Sequence, residues 1–308
     1  MRKASEKSNI HKSHPLVSIL LNCYNADQFI FKAIDSVLKQ SYTHWELIIW
    51  DDGSKDNTLK ILNNYKDKRI TIFKNKKNIG LGKSRIQAIK KLKGDLISII
   101  DADDVFHPNK IYRQVEAFNK NKQISICSTW TKIFDNNNNL SHIFASDLED
   151  SQLKKRLKLK NSLPNSSIMY KRVHAEKVGW YSDKLEYAQD YDLTTKLINV
   201  GSLHVVKEFL TFIYQPNSNM SKSQKLQKNI IEENIEISKK VINYNNLERN
   251  EIYILKNIIS IYEIKLNLLN LKENFFMSFF NIIIIILKNP LLIFKYNILK
   301  KFDEKKSI

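Results

Sequence analysis

The stretch Leu96-Ile97-Ser98-Ile99-Ile100-Asp101-Ala102-Asp103-Asp104 decides how this chain can fold. Its apolar first half, which follows Lys93-Gly94-Asp95, predicts a buried strand. The three carboxylates then follow the carboxyl end of that strand, where open α/β sheets bind their ligands. Because neighbouring carboxylates repel one another, the cluster needs compensation, which a divalent ion with oxygen ligands supplies. A solvated acidic turn before a helix that starts near Pro108 is the alternative.

Segments typical of strands and of helices alternate along the first part of the chain. Apolar runs predict the strands, and apolar residues at helical spacing predict the helices. This alternation is typical of right-handed βαβ units and of an α/β fold with a mainly parallel sheet. The predicted strands cover 16–21, 47–50, 70–73 and 96–100, and the predicted helices cover 26–40, 55–65, 82–92 and 108–120.

The net charge of +18 requires an anionic partner or surface, and nucleic acid and an anionic membrane are the two candidates. Neither a zinc finger nor an RNA-recognition signature occurs, so we expect no nucleic acid. The two cysteines, Cys23 and Cys127, form no metal-binding or redox pair. The polar, basic start contains no signal-peptide core, so a cytoplasmic location is expected.

Two segments could contact a membrane. Residues 275–287 are almost entirely apolar but too short to cross a bilayer, and residues 291–302 continue with interleaved lysines. This pattern predicts a helix in the membrane interface, with a buried helix followed by a basic tail as the alternative. The basic segment 152–160 predicts a partly amphipathic helix, which either contacts the membrane or exposes a solvated face.

Five groups of motifs occur in one order along the chain. The groups are Asn22-Cys23-Tyr24-Asn25; Gln40-Ser41-Tyr42 with Trp45 to Ser54; Asn78-Ile79-Gly80 leading to Arg85; Asp101-Ala102-Asp103-Asp104 with His107-Pro108; and Asn165 to Tyr170 followed by Val178-Gly179-Trp180 and Gln189-Asp190-Tyr191-Asp192-Leu193. With these motifs the chain, from about Leu16 to Ser221, resembles the inverting family 2 glycosyltransferases of the GT-A fold.

The resemblance implies a Rossmann-like, mainly parallel sheet flanked by helices, and three parts of the chain. Residues 1–14 are a polar, basic tail. Residues 15–221 form the GT-A domain, with a nucleotide-binding half (15–120) and an acceptor half (121–221). Residues 222–308 form a helical C-terminal region that associates with the membrane.

The implied reaction moves a hexosyl or N-acetylhexosaminyl group from a nucleotide-diphospho-sugar, expected to be a UDP-sugar. The acceptor is a glycan or lipid-linked saccharide in cell-surface polysaccharide synthesis, such as lipopolysaccharide or capsule. The enzyme is expected to be peripheral, at the inner face of the cell membrane.

Four residues are implied in nucleotide binding. Asp52 would accept the N3–H of uracil, Asn22 and Tyr24 would flank the base, and Arg85 would lie near the nucleotide. From the residues alone, Asn22 and Tyr24 are also compatible with an ordinary turn, and Arg85 with the surface of a helix.

Four aspartates are implied in the chemistry. Asp103 and Asp104 would lie nearest a bound Mn²⁺ or Mg²⁺ and the ribose, with Asp101 supporting them. Asp190 would be the general base that deprotonates the acceptor hydroxyl. An N-cap for the helix from Tyr191 to Asn199 is the alternative role of Asp190.

The chain departs from the family pattern at Gln189, where Glu is frequent, at Ile86, where Asn is frequent, and in residues 214–221, which lack Arg and His. These departures leave two rival functions. One is a nucleotidyltransferase, although the first strand is not followed by a Gly-rich basic loop. The other is a catalytically decayed basic membrane-binding protein.

Overall fold

The computed structural model describes residues 14–215, 223–244, 247–270 and 275–288. Their strands form one mixed sheet with helices around it. The strands are β1 (Val17–Cys23), β2 (Trp45–Asp51), β3 (Ile70–Lys74), β4 (Leu96–Ile99), β5 (Val105–Phe106), β6 (Ile124–Phe134), β7 (Leu140–Phe144), β8 (Met169–Lys171) and β9 (Ser202–Tyr214). Their order in the sheet is β3-β2-β1-β4-β8-β6-β9-β5, with β7 paired to β6.

The first four strands are parallel, and the predicted α/β arrangement is confirmed there. Strand β1 lies between β2 and β4, and Val17 pairs with both Trp45 and Leu96. Strands β1, β2 and β4 are buried nearly throughout, which explains why they are continuous apolar runs. Since all three run in one direction, their carboxyl ends meet at one edge of the sheet.

The second half of the sheet is mixed. The three-residue strand β8 pairs antiparallel with both β4 and β6, and so joins the two halves. Strands β6 and β9 are parallel, whereas β5 and β7 add antiparallel pairs at their outer sides. A strand as short as β8 carries too little periodicity for detection from sequence.

Seven helices precede residue 215. They are α1 (Ile30–Leu38), α2 (Thr58–Leu62), α3 (Leu81–Ile89), α4 (Lys110–Lys120), α5 (Asp150–Leu159), α6 (Arg172–Lys177) and α7 (Gln189–Leu197). The four predicted helices exist but are shorter, because turns or bends occupy residues at one or both of their ends. In α5, Leu153 and Leu157 are buried in the core, so its apolar face is not free to contact a membrane.

Three further helices lie in the C-terminal part: α8 (Gln224–Ile242), α9 (Arg249–Asn270) and α10 (Phe275–Lys288). Ile237 and Val241 of α8 and Leu255 of α9 belong to the same hydrophobic cluster as Leu157 and Tyr191. Within the described ranges, no helix has the length and apolar character needed to span a bilayer. The tail at 1–13, the predicted boundary at 221 and the segment 291–302 lie outside the described residues.

Candidate active site

The loops that follow β1 and β2 are tied together at the carboxyl edge of the sheet. The backbone N–H of Lys55 donates to Asn25 Oδ1 at 2.9 Å, and the N–H of Asn25 donates to Ser54 Oγ at 2.9 Å. Asn25 takes the left-handed conformation (φ 49°) that this close turn requires and that Asn tolerates. The edge therefore holds its loops in a defined position.

Asp52 organises the loop before α3. Its buried carboxylate accepts hydrogen bonds from Asn75 Nδ2 (2.7 Å) and from the N–H groups of Ile79 (3.0 Å) and Gly80 (2.9 Å). The neighbouring Asp51 is also buried and accepts from the Ser54 hydroxyl and N–H. Both carboxylates are thus satisfied by the chain itself.

Asn22 and Tyr24 lie at the end of β1, on the same edge as Asp52. The Tyr24 side chain is 38% exposed, which leaves a ring face accessible. The Asn22 amide nitrogen is buried without a hydrogen-bond partner among the described residues. Since buried donors are nearly always paired, this nitrogen is a donor that the described residues leave unsatisfied.

A short 3-10 turn, Asn165–Ser167, holds the acidic cluster that follows β4. Asn165 Nδ2 donates to Asp101 Oδ1 at 2.9 Å. The Ser166 hydroxyl accepts from the N–H of Asp101 at 2.9 Å and donates to Asp104 Oδ2 at 2.5 Å. The turn therefore fixes two of the three carboxylates relative to each other.

The three carboxylates differ in exposure and charge balance. Burial and the Asp101 charge raise the pKa of Asp103 to about 6, and burial with both neighbouring charges raises the pKa of Asp104 well above its ordinary value. No described Lys, Arg or His forms an ion pair with any of the three. The negative charge of the cluster is therefore uncompensated.

Asp104 faces inward, which does not match the expectation that it lies next to a metal. It is 2% exposed, and its second oxygen accepts from the N–H of Tyr214 at 3.4 Å. Asp101 and Asp103 are only half-buried. Among the described residues, no three His, Cys, Asp or Glu side chains form a ready metal cage. Asp101 and Asp103 are thus the accessible pair, and Asp104 supports them.

Asp190 lies in the first turn of α7, and Ala188 is the N-cap of that helix, so the capping alternative is wrong. Asn161 Nδ2 donates to Asp190 Oδ2 at 3.0 Å. Burial raises the pKa of Asp190, and the charge of Asp101 raises it further, against the opposing effects of Asn161 and Arg85. Asn161, which binds Asp190, lies four residues before Asn165, which binds Asp101, so the two aspartates, which are distant in sequence, lie near each other.

Arg85 is 3% exposed, so the alternative of a surface arginine is wrong. Its Nη1 donates to Gln189 Oε1 at 3.5 Å, its Cζ lies 5.2 Å from the Tyr181 ring centroid, and its Nε has no partner among the described residues. Gln189 is fixed by donating to the carbonyls of Ser182 (2.8 Å) and Gly82 (3.3 Å). A neutral side chain at 189 leaves the charge of Arg85 available to Asp190.

The residues that hold these aspartates have no role predicted from the sequence. Asn165 and Ser166 belong to one of the five motif groups, and their polar side chains are the only sequence feature that could have indicated a role. Asn161 and Glu233, which supports α7 from the C-terminal helix α8, stand in segments without a motif. Only the three-dimensional structure brings these two residues to the site.

The profile of the family described as "Glycosyl transferase family 2" matches residues 18–179, more than half of the chain. An uncharacterized glycosyltransferase of Rickettsia prowazekii, RP339, is 32% identical over 66% of this chain and 64% of its own length. The chain thus matches somewhat less than two thirds of that relative.

Two further proteins are similar to parts of the chain. The Escherichia coli UDP-Glc:alpha-D-GlcNAc-diphosphoundecaprenol beta-1,3-glucosyltransferase WfgD is 38% identical over 40% of this chain and 48% of its own length. The crystal structure of S. aureus TarS 1-349 in complex with UDP-GlcNAc superposes with a TM-score of 0.63 at 20% identity, covering 83% of this chain and 72% of that one. That likeness establishes the GT-A-type fold. Together with the family match, it shows that the chain belongs to glycosyl transferase family 2.

Proposed function

We propose that this chain is an inverting glycosyltransferase that uses a UDP-sugar and a glycan or lipid-linked saccharide acceptor in cell-surface polysaccharide synthesis. The transferred group is a hexosyl or N-acetylhexosaminyl group. The observation that carries the proposal is that one loop, through Asn161 and Asn165, brings Asp190 near Asp101 at the edge where β1, β2 and β4 end. The name of WfgD includes UDP-Glc and a lipid diphosphate, and the TarS structure is a complex with UDP-GlcNAc. Both support a UDP-sugar donor, and the name of WfgD supports the acceptor class.

Asp190 acts as the general base in this proposal. It takes the proton of the acceptor hydroxyl while that oxygen attacks the anomeric carbon and the bond from this carbon to the diphosphate oxygen breaks. Burial raises the pKa of Asp190, which makes its carboxylate a stronger proton acceptor. Arg85 and Asn161 hold the carboxylate in its ionised form and orientation.

The nucleotide lies at the strand edge in this proposal. Tyr24 offers a ring face to the base and Asn22 a free amide donor. Asp52 shapes the base pocket by holding residues 75–80. A carboxylate has about four acceptor positions and three chain donors occupy Asp52, so in this proposal the remaining position accepts uracil N3–H. Arg85 places its remaining guanidinium donors toward the donor substrate.

A divalent ion fits the acidic cluster, because two half-buried carboxylates there lack any described counter-charge. Asp101 and Asp103 would hold Mn²⁺ or Mg²⁺ with the donor diphosphate. When bound, the ion supplies positive charge that stabilises the leaving diphosphate. Asp104 keeps the turn that carries this pair in place.

The decisive experiment replaces Asp190 by Asn and measures sugar transfer and UDP-sugar binding separately. Loss of a positioned general base predicts a fall in kcat of about 10³-fold, with donor affinity changed less than about threefold. Asp183→Asn, an exposed aspartate on the preceding loop, is the matched control and should keep full activity. Undiminished turnover by the Asp190→Asn variant would overturn the proposal, as would activity limited to nucleotidyl transfer.

We also propose that α10 binds the anionic inner face of the cytoplasmic membrane. The inner side of this helix contacts α9 through Asn281 and Asn267, and its outer side exposes large apolar residues. These are Met277, Phe279, Phe280, Ile283 and Leu287. The net charge of +18 complements anionic lipid and favours a bilayer as the occupant of this surface.

Vesicle pelleting tests the membrane proposal. The double variant Phe280→Ser and Leu287→Ser should bind phosphatidylglycerol-containing vesicles at least about tenfold more weakly, because it lacks two apolar side chains that would enter the bilayer. Val173→Ser removes an exposed apolar residue elsewhere and should not change binding. Equal pelleting by wild type and double variant, or equal binding to pure phosphatidylcholine, would contradict it.

A further inference from the structure

Glu233 on α8 contacts the chain directly before the helix that carries Asp190. Its Oε1 accepts from the N–H of Glu186 at 2.7 Å, and its Oε2 accepts from the N–H groups of Tyr187 (2.9 Å) and Ala188 (2.7 Å). One carboxylate thus binds three consecutive backbone donors. Helix α7 begins at the next residue, Gln189.

Helix α7 has no cap from its own segment. Its N-cap residue is Ala188, which offers no side-chain hydrogen bond. Helix N-termini leave several N–H groups without intrahelical partners, and a carboxylate there also interacts favourably with the helix dipole. From a separate helix, Glu233 pairs the N–H of the N-cap residue Ala188 and places a negative charge at this end of α7.

The segment held by Glu233 controls two parts of the site. It leads into Gln189, which contacts Arg85, and then into Asp190. On its other side, the Glu186 carboxylate packs against Gly80, where an added Cβ would overlap it. Residues 186–188 thus lie between the loop organised by Asp52 and the proposed base.

Helix α8 is itself fixed in position. Ile237 and Val241, on the turns after Glu233, are at most 1% exposed and pack in the cluster that contains Tyr191 of α7. This packing places the Glu233 side chain at a defined distance from α7. A charge on a mobile surface helix could not hold three N–H groups at once.

We propose that Glu233 is a positioning residue for Asp190, through which the C-terminal helices set the orientation of the catalytic first turn of α7. The proposal rests on the assignment of Asp190 as the base. It gives the C-terminal region a role in transfer itself, separate from any role in membrane binding.

The test compares Glu233→Ala and Glu233→Gln with Glu236→Ala in the full chain. Glu236 lies three residues after Glu233, and among the described residues its ion pair is with Lys240, at 2.7 Å on the surface of the same helix. Its variant should therefore retain wild-type kcat. A displacement of about 1 Å at a reacting group costs about 10²-fold, so Glu233→Ala should lower kcat to that extent. Glu233→Gln keeps an oxygen for two of the three donors and should recover part of the loss.

Each kcat is divided by the number of UDP-binding sites measured by calorimetric titration. A merely structural role would lower the number of binding sites and leave kcat per site unchanged, which would overturn the proposal. Hydrogen exchange at residues 186–188 should become faster in Glu233→Ala and not in Glu236→Ala. If Glu233→Ala kept the wild-type kcat per site while Asp190→Asn was inactive, the positioning role alone would be refuted. If Asp190→Asn were active, the assignment of Asp190 as the base would be refuted.

Discussion

Two acidic pairs stand at the same edge of the sheet and differ in how the chain treats their charge. Asp51 and Asp52, which end and follow β2, are buried and accept hydrogen bonds from the chain. Asp101 and Asp103, which follow β4, are half-buried, and no described cation pairs with them. Similar sequence positions have therefore produced one pair that organises loops and one pair that retains charge.

This difference separates scaffold from chemistry. A carboxylate that accepts several N–H groups stabilises the fold, because breaking those bonds leaves buried donors unpaired. A carboxylate beside a like charge destabilises the fold unless a ligand compensates it. We expect substitutions in the first pair to lower stability, and substitutions in the second pair to lower activity without loss of stability.

Among substitutions in the two acidic pairs, the largest effect is expected at Asp103. Asp103→Asn removes a proposed metal ligand and should lower kcat/KM by about 10²-fold, and excess chelator should inactivate the wild type. The same variant should raise the melting temperature at pH 7.5, because it removes a charge that burial and Asp101 disfavour. Calorimetry and transfer assays at added Mn²⁺ measure both quantities. Full activity in chelator, or a lowered melting temperature, would break the distinction between the two pairs.

A smaller effect is expected at Asp52. Asp52→Asn places an amide group against donors that require an acceptor, which should cost about 1–3 kcal/mol of unfolding free energy. The loop at residues 75–80 should loosen, and UDP affinity should fall with it. Thermal melts with and without UDP measure this. Asp147→Asn, which removes an exposed ion pair with Lys207, is the control and should melt like the wild type. If Asp52→Asn were as stable as this control, Asp52 would not stabilise the fold.

The contrast also marks what sequence could predict. Strands β1, β2 and β4 were predictable because each is a buried apolar run between turn residues, and the partly exposed β3 because it is a short run of β-branched and aromatic residues. The position of the carboxylates at the ends of β2 and β4 followed from the parallel arrangement. The roles within the acidic cluster were not predictable, because Asp104 turns inward only through Ser166 and Tyr214, which are distant in sequence. The assignment of Asp190 rested on the family resemblance, and its contact with Asn161 needed the fold.

Glu233 is the clearest case that sequence could not reach. It is one of several acidic residues on a charged helix, and no local pattern sets it apart. Its three partners are backbone N–H groups, which exist at almost every residue and carry no sequence signal. Only the packing of α8 on α7 selects these donors.

The smallest expected effect concerns Lys110, a fully buried residue of α4. Its Nζ donates to Ser98 Oγ (3.2 Å) and Gln114 Oε1 (2.9 Å), and Gln114 in turn donates to the carbonyl of Ser167 in the turn that holds Asp101. Lys110 thus contributes to the turn through hydrogen bonds and does not neutralise the carboxylates. Burial lowers its pKa to about 7.

The titration of Lys110 gives a signed stability test. Above pH 7 the folded protein has released this proton while the unfolded chain still binds it, so stability from this residue rises with pH up to about 10. Lys110→Met abolishes that rise, and its melting temperature minus that of the wild type should therefore be higher at pH 6.5 than at pH 9. Lys120→Met, which affects only a surface pair with Glu116, should show no such difference. If the melting temperature of Lys110→Met minus that of the wild type were instead higher at pH 9 than at pH 6.5, Lys110 would carry its charge at pH 9. Asp101 and Asp103 would then have to be regarded as compensated by the chain.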